Sequence, residues 1–91
     1  MSTANEALDR ADRVAKCVAS ALGIPAGDVL ADGFELQRSA AFSSFALLEM
    51  VVRLEEEFGV TIPDRDLTLE RFSTVESIGA YVSEREREPS G

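Results

Sequence analysis

Apolar residues recur every three or four positions in three long stretches of this sequence, which is the spacing of one face of an α-helix. The first stretch extends from about residue 4 to residue 22, where Gly23 supplies a left-handed stop and Pro25 prevents the helix from resuming. Its apolar positions are Leu8, Ala11, Ala15, Val18 and Leu22. No segment alternates between apolar and polar residues for more than a few positions, as a half-buried strand does. We therefore expect an almost entirely helical chain.

A second helix is predicted from Ser44 to Phe58, and it again ends at a glycine, Gly59. On a helical wheel one broad apolar face is expected to join the core, whereas Arg53 and Glu57 lie away from it. This face comprises Leu47, Met50, Val51, Leu54 and Phe58.

A narrower apolar stripe, Phe45, Leu48 and Val52, lies on the flank of that face, close to Glu49 and Glu56. In one interpretation the stripe only widens the core face and is covered by another part of the chain. In the other it is an exposed patch with a carboxylate rim, on which a protein with a basic rim around an apolar notch docks transiently. Helical periodicity leaves both interpretations open.

The remaining segments connect and complete the predicted bundle. Residues 24–42 form a long connector rich in Gly, Ala and Asp, whose expected anchors to the core are Val29, Leu30, Phe34 and Leu36. A short helical turn is predicted over residues 64–69. Ser73 to Glu76 fits a capping box and predicts the start of the last helix. This helix is expected to present Val75, Ile78 and Val82 to the core, with Tyr81 on the edge. The ends, about residues 1–4 and 85–91, are expected to fray.

The sequence is short, and we expect it to form one small domain, residues 1–91. Its composition disfavours several classes of function. A net charge of −8 disfavours nucleic acids and anionic membranes and favours partners with basic surfaces. The lack of histidine removes Ser-His-Asp and Cys-His catalysis and histidine-containing zinc sites. The single cysteine, Cys17, has no second thiol for a disulfide or a metal site, and we interpret it as a helix residue.

The lack of a targeting or membrane-spanning feature in the sequence points to the cytoplasm. The sequence starts without a basic end or an apolar run, and no segment approaches the ~20 apolar residues that a membrane-spanning helix needs. A reducing cytoplasm is therefore the expected compartment.

Two adjoining segments, Leu54–Gly59 and Gly59–Asp64, resemble motifs of a known family. They read Leu-Glu-Glu-Glu-Phe-Gly and Gly-Val-Thr-Ile-Pro-Asp, and the serine ten residues before Leu54 is Ser44. This arrangement resembles the acyl carrier proteins, in which the serine of an Asp-Ser-Leu motif carries a phosphopantetheine arm at that distance from such a run. The resemblance covers roughly residues 7–82 and is strongest from 44 to 64. The motif reads Ser-Ser-Phe here, because serine and phenylalanine replace the aspartate and the leucine.

The residue types alone leave the role of the serine pair open. A serine at the start of a helix commonly accepts a backbone N–H bond as the N-cap. The two roles are compatible, because Ser43 can cap the helix while Ser44 carries the arm, whose phosphodiester charge then faces the positive end of the helix dipole. Ser43 and Ser39 are fallback attachment sites, although neither keeps the spacing of the family.

The resemblance implies a four-helix bundle of acyl-carrier-protein type, with three longer helices, one short helix and a long loop between the first two. It implies a free-standing, monomeric, non-catalytic carrier that holds acyl or aminoacyl cargo as a thioester, here in a specialised pathway. The implied partners are a phosphopantetheinyl transferase, a ligase or adenylating enzyme and a condensing or acyl-transfer enzyme. The implied docking residues are Phe45, Leu48, Glu49, Val52 and Glu56.

Two alternatives to a modified carrier follow from the sequence. The first is a carrier-like bundle that is never modified and acts as a protein interaction module. Ser43, in place of the aspartate, favours this alternative. The second is a small helical enzyme, which the sequence hardly supports, since it has no histidine, no paired cysteine and no phosphate-binding glycine loop.

Overall fold

The computed structural model describes the backbone of residues 3–87 and the side chains of residues 9–87. Its four α-helices are α1 (Thr3–Leu22), α2 (Ala26–Val29), α3 (Ser44–Phe58) and α4 (Val75–Arg87), and single 3-10 turns occur at Leu36–Arg38 and Asp64–Asp66. No strand occurs in the described residues. The predicted all-helical bundle, with three longer helices, one short helix and a long connector between the first two long helices, is confirmed.

The core lies where α1, α3 and α4 meet. Its largest fully buried side chains come from all three helices and from the segments that join them. They are Phe72, Leu36, Met50, Leu54, Ile78, Val14, Val18, Val29 and Val82. On the predicted core face of α3, Leu47 and Phe58 are half-buried and pack against this cluster. The predicted Leu8 side chain lies outside the described side chains.

The connector and the segment after α3 differ from the sequence-based expectation in detail. The short α-helix, α2, lies at the start of the connector, whereas residues 64–69 contain only the 3-10 turn Asp64–Asp66. Val29 and Leu36 are buried as expected, but Leu30 is 46% exposed, so its prediction as an anchor is wrong. Successive residues of a helical turn point in directions about 100° apart, so Val29 points inward while Leu30 does not.

The last helix begins one residue later than the capping-box pattern predicts. The Ser77 N–H donates to the Thr74 hydroxyl at 3.0 Å, and the Thr74 N–H donates to the Ser77 hydroxyl at 3.1 Å. The reciprocal cap is therefore formed by Thr74 and Ser77 instead of Ser73 and Glu76. Ser73 has another role, since its carbonyl accepts a hydrogen bond from the Leu36 N–H at 2.6 Å and ties the connector to the start of α4.

Tyr81 is buried in the bundle instead of lying on its edge. Its ring packs against that of Phe72, with 5.4 Å between the centroids, and its hydroxyl donates a hydrogen bond to Asp66 Oδ2. The buried ring and the polar tip thus fasten the segment after α3 to α4.

At the chain ends, α1 begins at Thr3 and α4 ends at Arg87, and the fraying expected for residues 1–4 and 85–91 stays a prediction. Residues 1–2 and 88–91 lie outside the described residues. Within residues 3–87, no helix combines the length and the apolar composition that crossing a bilayer requires.

Replacing Tyr81 by phenylalanine is expected to destabilise the fold at neutral pH by an amount that shrinks at both pH extremes. The Tyr81 hydroxyl holds the pKa of Asp66 below its usual range, so this stabilisation is present above the unfolded pKa of about 3.9 and is lost as the pH falls through the folded pKa. Burial and the bond to Asp66 raise the pKa of Tyr81, so its stabilisation is complete below about pH 10 and is lost as the pH rises through the folded pKa.

Urea unfolding of the chain and of Tyr81→Phe over a pH series measures this difference. A difference in unfolding free energy that stays constant from acid to alkaline pH would contradict the proposed linkage.

Candidate modification site

The two serines at the start of α3 have different backbone roles. Ser43 is extended, with φ −157° and ψ 166°, and its hydroxyl accepts a hydrogen bond from the Ala46 N–H at 3.1 Å. Its carbonyl accepts the first helical bond, from the Leu47 N–H at 3.0 Å. Ser43 is therefore the N-cap, and Ser44 is the first residue of the helix.

The Ser44 side chain points into solvent. The residue is exposed, and its hydroxyl has no hydrogen-bond partner among the side chains and backbone groups that the structure describes. The N–H groups of Ser44 and Phe45 also lack an acceptor there, because in the first turn of a helix such groups have no intrahelical partner. A nucleophilic oxygen is thus presented beside two free N–H donors.

This environment fits a phosphate ester on Ser44. The free N–H groups and the positive end of the helix dipole stabilise a negative charge at this point by about 0.3–1 kcal/mol. The first turn of α3 contains no acidic residue that would repel it. Phosphopantetheine would be attached through such an ester, and the exposed Ser44 side chain is accessible for it.

The other candidate serine, Ser39, is held in the turn that leads into α3. Its hydroxyl accepts a hydrogen bond from the Ala41 N–H at 3.2 Å, and its carbonyl accepts one from the Phe42 N–H at 3.0 Å. Ser39 is half-buried and lies outside α3, so it is not part of the first turn of the helix.

The apolar stripe of α3 is uncovered. Phe45 is 75% exposed, Leu48 56% and Val52 52%, so the connector does not bury this flank of the helix. The interpretation of the stripe as a mere widening of the core face is therefore wrong for these three residues. Each lies about one turn from the next, and Phe45 directly follows the exposed serine.

The carboxylates of α3 have four different environments. Glu49 forms an ion pair with Arg53 at 3.6 Å on the same helix. The Glu55 carboxylate accepts a hydrogen bond from the Ile62 N–H at 2.8 Å, and Glu57 is paired with Arg13 of α1 at 2.7 Å. Glu56 is exposed and has no ion-pair partner among the described residues.

Sequence reasoning missed the structural roles of two of these residues. Glu55 orients the chain after α3, and Glu57 joins α3 to α1. The Arg13 guanidinium also lies 4.5 Å from the centre of the Phe58 ring, and its hydrogen bond with Glu57 raises the pKa of Arg13. Partners so distant in sequence leave no signal in helical periodicity.

Cys17 is a structural residue beneath this α1–α3 contact. The residue is only 7% exposed, and its S–H donates to the Arg53 carbonyl, with 3.7 Å between sulfur and oxygen. Burial raises the pKa of the thiol, so the thiolate needed for nucleophilic chemistry is disfavoured. This geometry agrees with the interpretation of Cys17 as a helix residue.

Comparison with known proteins supplies an independent line of evidence. The family model described as "Phosphopantetheine attachment site" matches residues 12–82. The acyl carrier protein of Zymomonas mobilis subsp. mobilis is 36% identical over 76 residues, which cover 84% of this chain and 94% of that protein. The matched residues 12–82 begin in α1, end in α4 and include the exposed serine.

Proposed function

The chain belongs to the acyl carrier protein family, and from this premise we propose that Ser44 is the residue that carries its phosphopantetheine. Members of this family are non-catalytic carriers, so the chain is a carrier and not an enzyme, and its cofactor is covalently attached phosphopantetheine. The observation that carries the assignment to Ser44 is its exposed, unpartnered hydroxyl at the first position of α3. The spacing to Leu54 supports the same serine.

Attachment requires Ser44 Oγ to act as a nucleophile. The oxygen attacks the phosphorus next to the pantetheine half of coenzyme A, the bond to the nucleotide half breaks, and adenosine 3′,5′-bisphosphate leaves. No described residue accepts a hydrogen bond from this hydroxyl, so the base that takes its proton belongs to the transferase. The first-turn N–H groups of α3 then face the phosphodiester. When bound, the arm supplies a terminal thiol that holds cargo as a thioester.

We also propose that the exposed stripe of α3 is the surface on which partner enzymes dock. Its residues are Phe45, Leu48 and Val52, with Glu49 and Glu56 beside them. Three apolar side chains on the helix that begins at Ser44 remain more than half exposed, which supports this role. The proposed partners are a phosphopantetheinyl transferase, a ligase or adenylating enzyme that loads the cargo, and a condensing or acyl-transfer enzyme that removes it.

The proposed cargo is an acyl or aminoacyl group of a specialised pathway. Ser43 and Phe45 support this proposal, because they replace the aspartate and the leucine of the family motif on either side of the attachment serine. The same replacement of an acid by Ser43 favours one competing function, an unmodified carrier-like bundle that only binds proteins.

Intact mass before and after incubation with coenzyme A and a phosphopantetheinyl transferase of broad specificity separates the two functions. We expect the mass of one phosphopantetheine to be added, and peptide mapping to locate it on Ser44. A standard acyl carrier protein in the same reaction verifies that the transferase is active. No adduct with several active transferases would favour the unmodified interaction module.

A further inference from the structure

The residues on both sides of Ser44 carry no charge, although charged residues make up 29% of the whole chain. From Ser39 to Leu48 the sequence contains no Asp, Glu, Lys or Arg. This uncharged segment includes the turn before α3, the N-cap and the first turn of the helix. Ser44 lies inside this segment, so a protein that reaches its hydroxyl meets the exposed residues of the segment.

Ion pairs neutralise the charges at both ends of the uncharged segment. Arg38, just before it, is paired with Glu35 at 2.6 Å, and Glu49, just after it, is paired with Arg53 at 3.6 Å. Each pair places opposite charges side by side, so its field falls off rapidly with distance. The chain is strongly acidic as a whole, with a net charge of −8, yet the residues from Ser39 to Leu48 are uncharged and the charged residues next to them in sequence are paired.

The unpaired carboxylate on the same side of α3 is distant from the serine. Glu56 follows Phe45 by eleven residues, which is about 16 Å along the axis of an α-helix. The Debye length at physiological salt is about 8 Å, so the charge of Glu56 is largely screened at the serine. Attraction between this carboxylate and a basic partner would act at the far end of the docking stripe.

Phe45 is the dominant feature of the uncharged segment. It is the most exposed large apolar side chain of the described residues and directly follows the serine. A protruding ring in a neutral surface fits an apolar notch, in which the area removed from water supplies the attraction.

We propose that the transferase that modifies Ser44 docks through an apolar, uncharged notch that receives the Phe45 ring, with little contribution from charge attraction. This inference rests on the proposed function, because it concerns the enzyme that acts on Ser44. The transferase is the occupant to which the geometry points, since its catalytic centre must reach the Ser44 oxygen itself. Enzymes that act on the cargo also dock on the stripe in the proposed function, but their catalytic centres reach the thiol at the end of the arm and not the Ser44 oxygen.

The test measures kcat/KM for arm attachment, with coenzyme A saturating, at about 0.05 M and about 0.5 M NaCl, a range over which the Debye length shortens about threefold. For the unaltered chain we expect a change of about twofold or less between the two salt concentrations. For Phe45→Ala we expect kcat/KM to fall about 10- to 100-fold at both, mainly through a higher KM, because the buried area of one ring is lost.

Two matched variants isolate the contribution of the ring. Phe45→Leu keeps an apolar side chain at the same position, and we expect it to retain kcat/KM within about fivefold, as an apolar contact of similar size would. Leu69→Ala removes an apolar side chain that is 56% exposed but lies outside α3, and we expect no change. Circular dichroism verifies that each variant keeps its helix content.

Different experimental results would overturn this inference and the proposed function. Attachment to Ser44 that falls steeply with salt and is unaffected by Phe45→Ala would overturn the neutral-notch inference while leaving the carrier function intact. No attachment to any variant at either salt concentration would overturn both.

Discussion

Replacing Ser44 by alanine is expected to abolish attachment of phosphopantetheine while leaving the helix content nearly unchanged. The substitution removes the proposed nucleophilic oxygen, and the N-cap bond from the Ala46 N–H to the Ser43 hydroxyl, 3.1 Å long, does not involve Ser44. Because Ser44 is exposed, no core contact is lost. Intact mass after incubation with transferase and coenzyme A measures attachment, and circular dichroism measures the helix content.

Ser43→Ala is the matched control for this prediction. It is expected to keep attachment but to lower the free energy of unfolding by about 1 kcal/mol, because the Ala46 N–H loses its acceptor. Attachment that survives in Ser44→Ala and disappears in Ser43→Ala would show that the assignment is wrong by one residue. Loss of attachment in both variants would indicate that the cap itself is needed to present the serine.

Replacing Phe72 by alanine is expected to lower the free energy of unfolding by about 3–5 kcal/mol. Phe72 is only 1% exposed, and its ring contacts that of Tyr81 at a centroid distance of 5.4 Å, so alanine would leave a cavity where the segment before α4 meets the core. Small domains are stable by only about 5–15 kcal/mol, so a large part of the folding free energy would be lost.

Chemical denaturation followed by circular dichroism measures this loss. Phe45→Ala removes the same ring from an exposed position and is expected to change the unfolding free energy by about 0.5 kcal/mol or less. Phe72→Leu is expected to have an intermediate effect, since most of the buried volume is retained. Equal stabilities of Phe72→Ala and Phe45→Ala would contradict the position of Phe72 in the core.

Features that depend on neighbours along one helix were predictable from the sequence. The spacing of Met50, Val51 and Leu54 indicated the buried face of α3, and these residues are buried. Gly59, at which this helix was predicted to end, has φ +65° and donates its N–H to the Glu55 carbonyl at 2.9 Å. Left-handed backbone at a helix end favours glycine, so such a stop can be found in the sequence itself.

Features that depend on distant partners were not predictable in the same way. The pairing of Arg13 with Glu57, and of Tyr81 with Asp66, joins segments whose separation depends on the whole bundle. The start of α4 was predicted one residue early, because the sequence pattern does not reveal that Ser73 already accepts a bond from the connector. Local sequence patterns predict which helices form, whereas tertiary contacts decide details such as the exact residue at which a helix begins.

The same distinction between local and distant determinants applies to the candidate site. The spacing to Leu54 predicted Ser44 as the attachment serine, and a helical wheel predicted the apolar stripe that contains Phe45. Whether that stripe is covered depends on the path of the connector, which no periodicity describes. The structure shows the stripe exposed, and the neutral character of the serine end became apparent only from the ion pairs on either side of it.

The buried position of Cys17 also bears on the fidelity of cargo handling. Thioesters pass their acyl groups to nearby thiolates, so a reactive cysteine on a carrier would divert cargo into a dead-end self-acylated product. The only cysteine of this chain is buried on α1 against the Arg53 carbonyl of α3, and burial raises the pKa of its thiol. We therefore expect that cargo held as a thioester on the arm is not diverted to a cysteine of its own carrier.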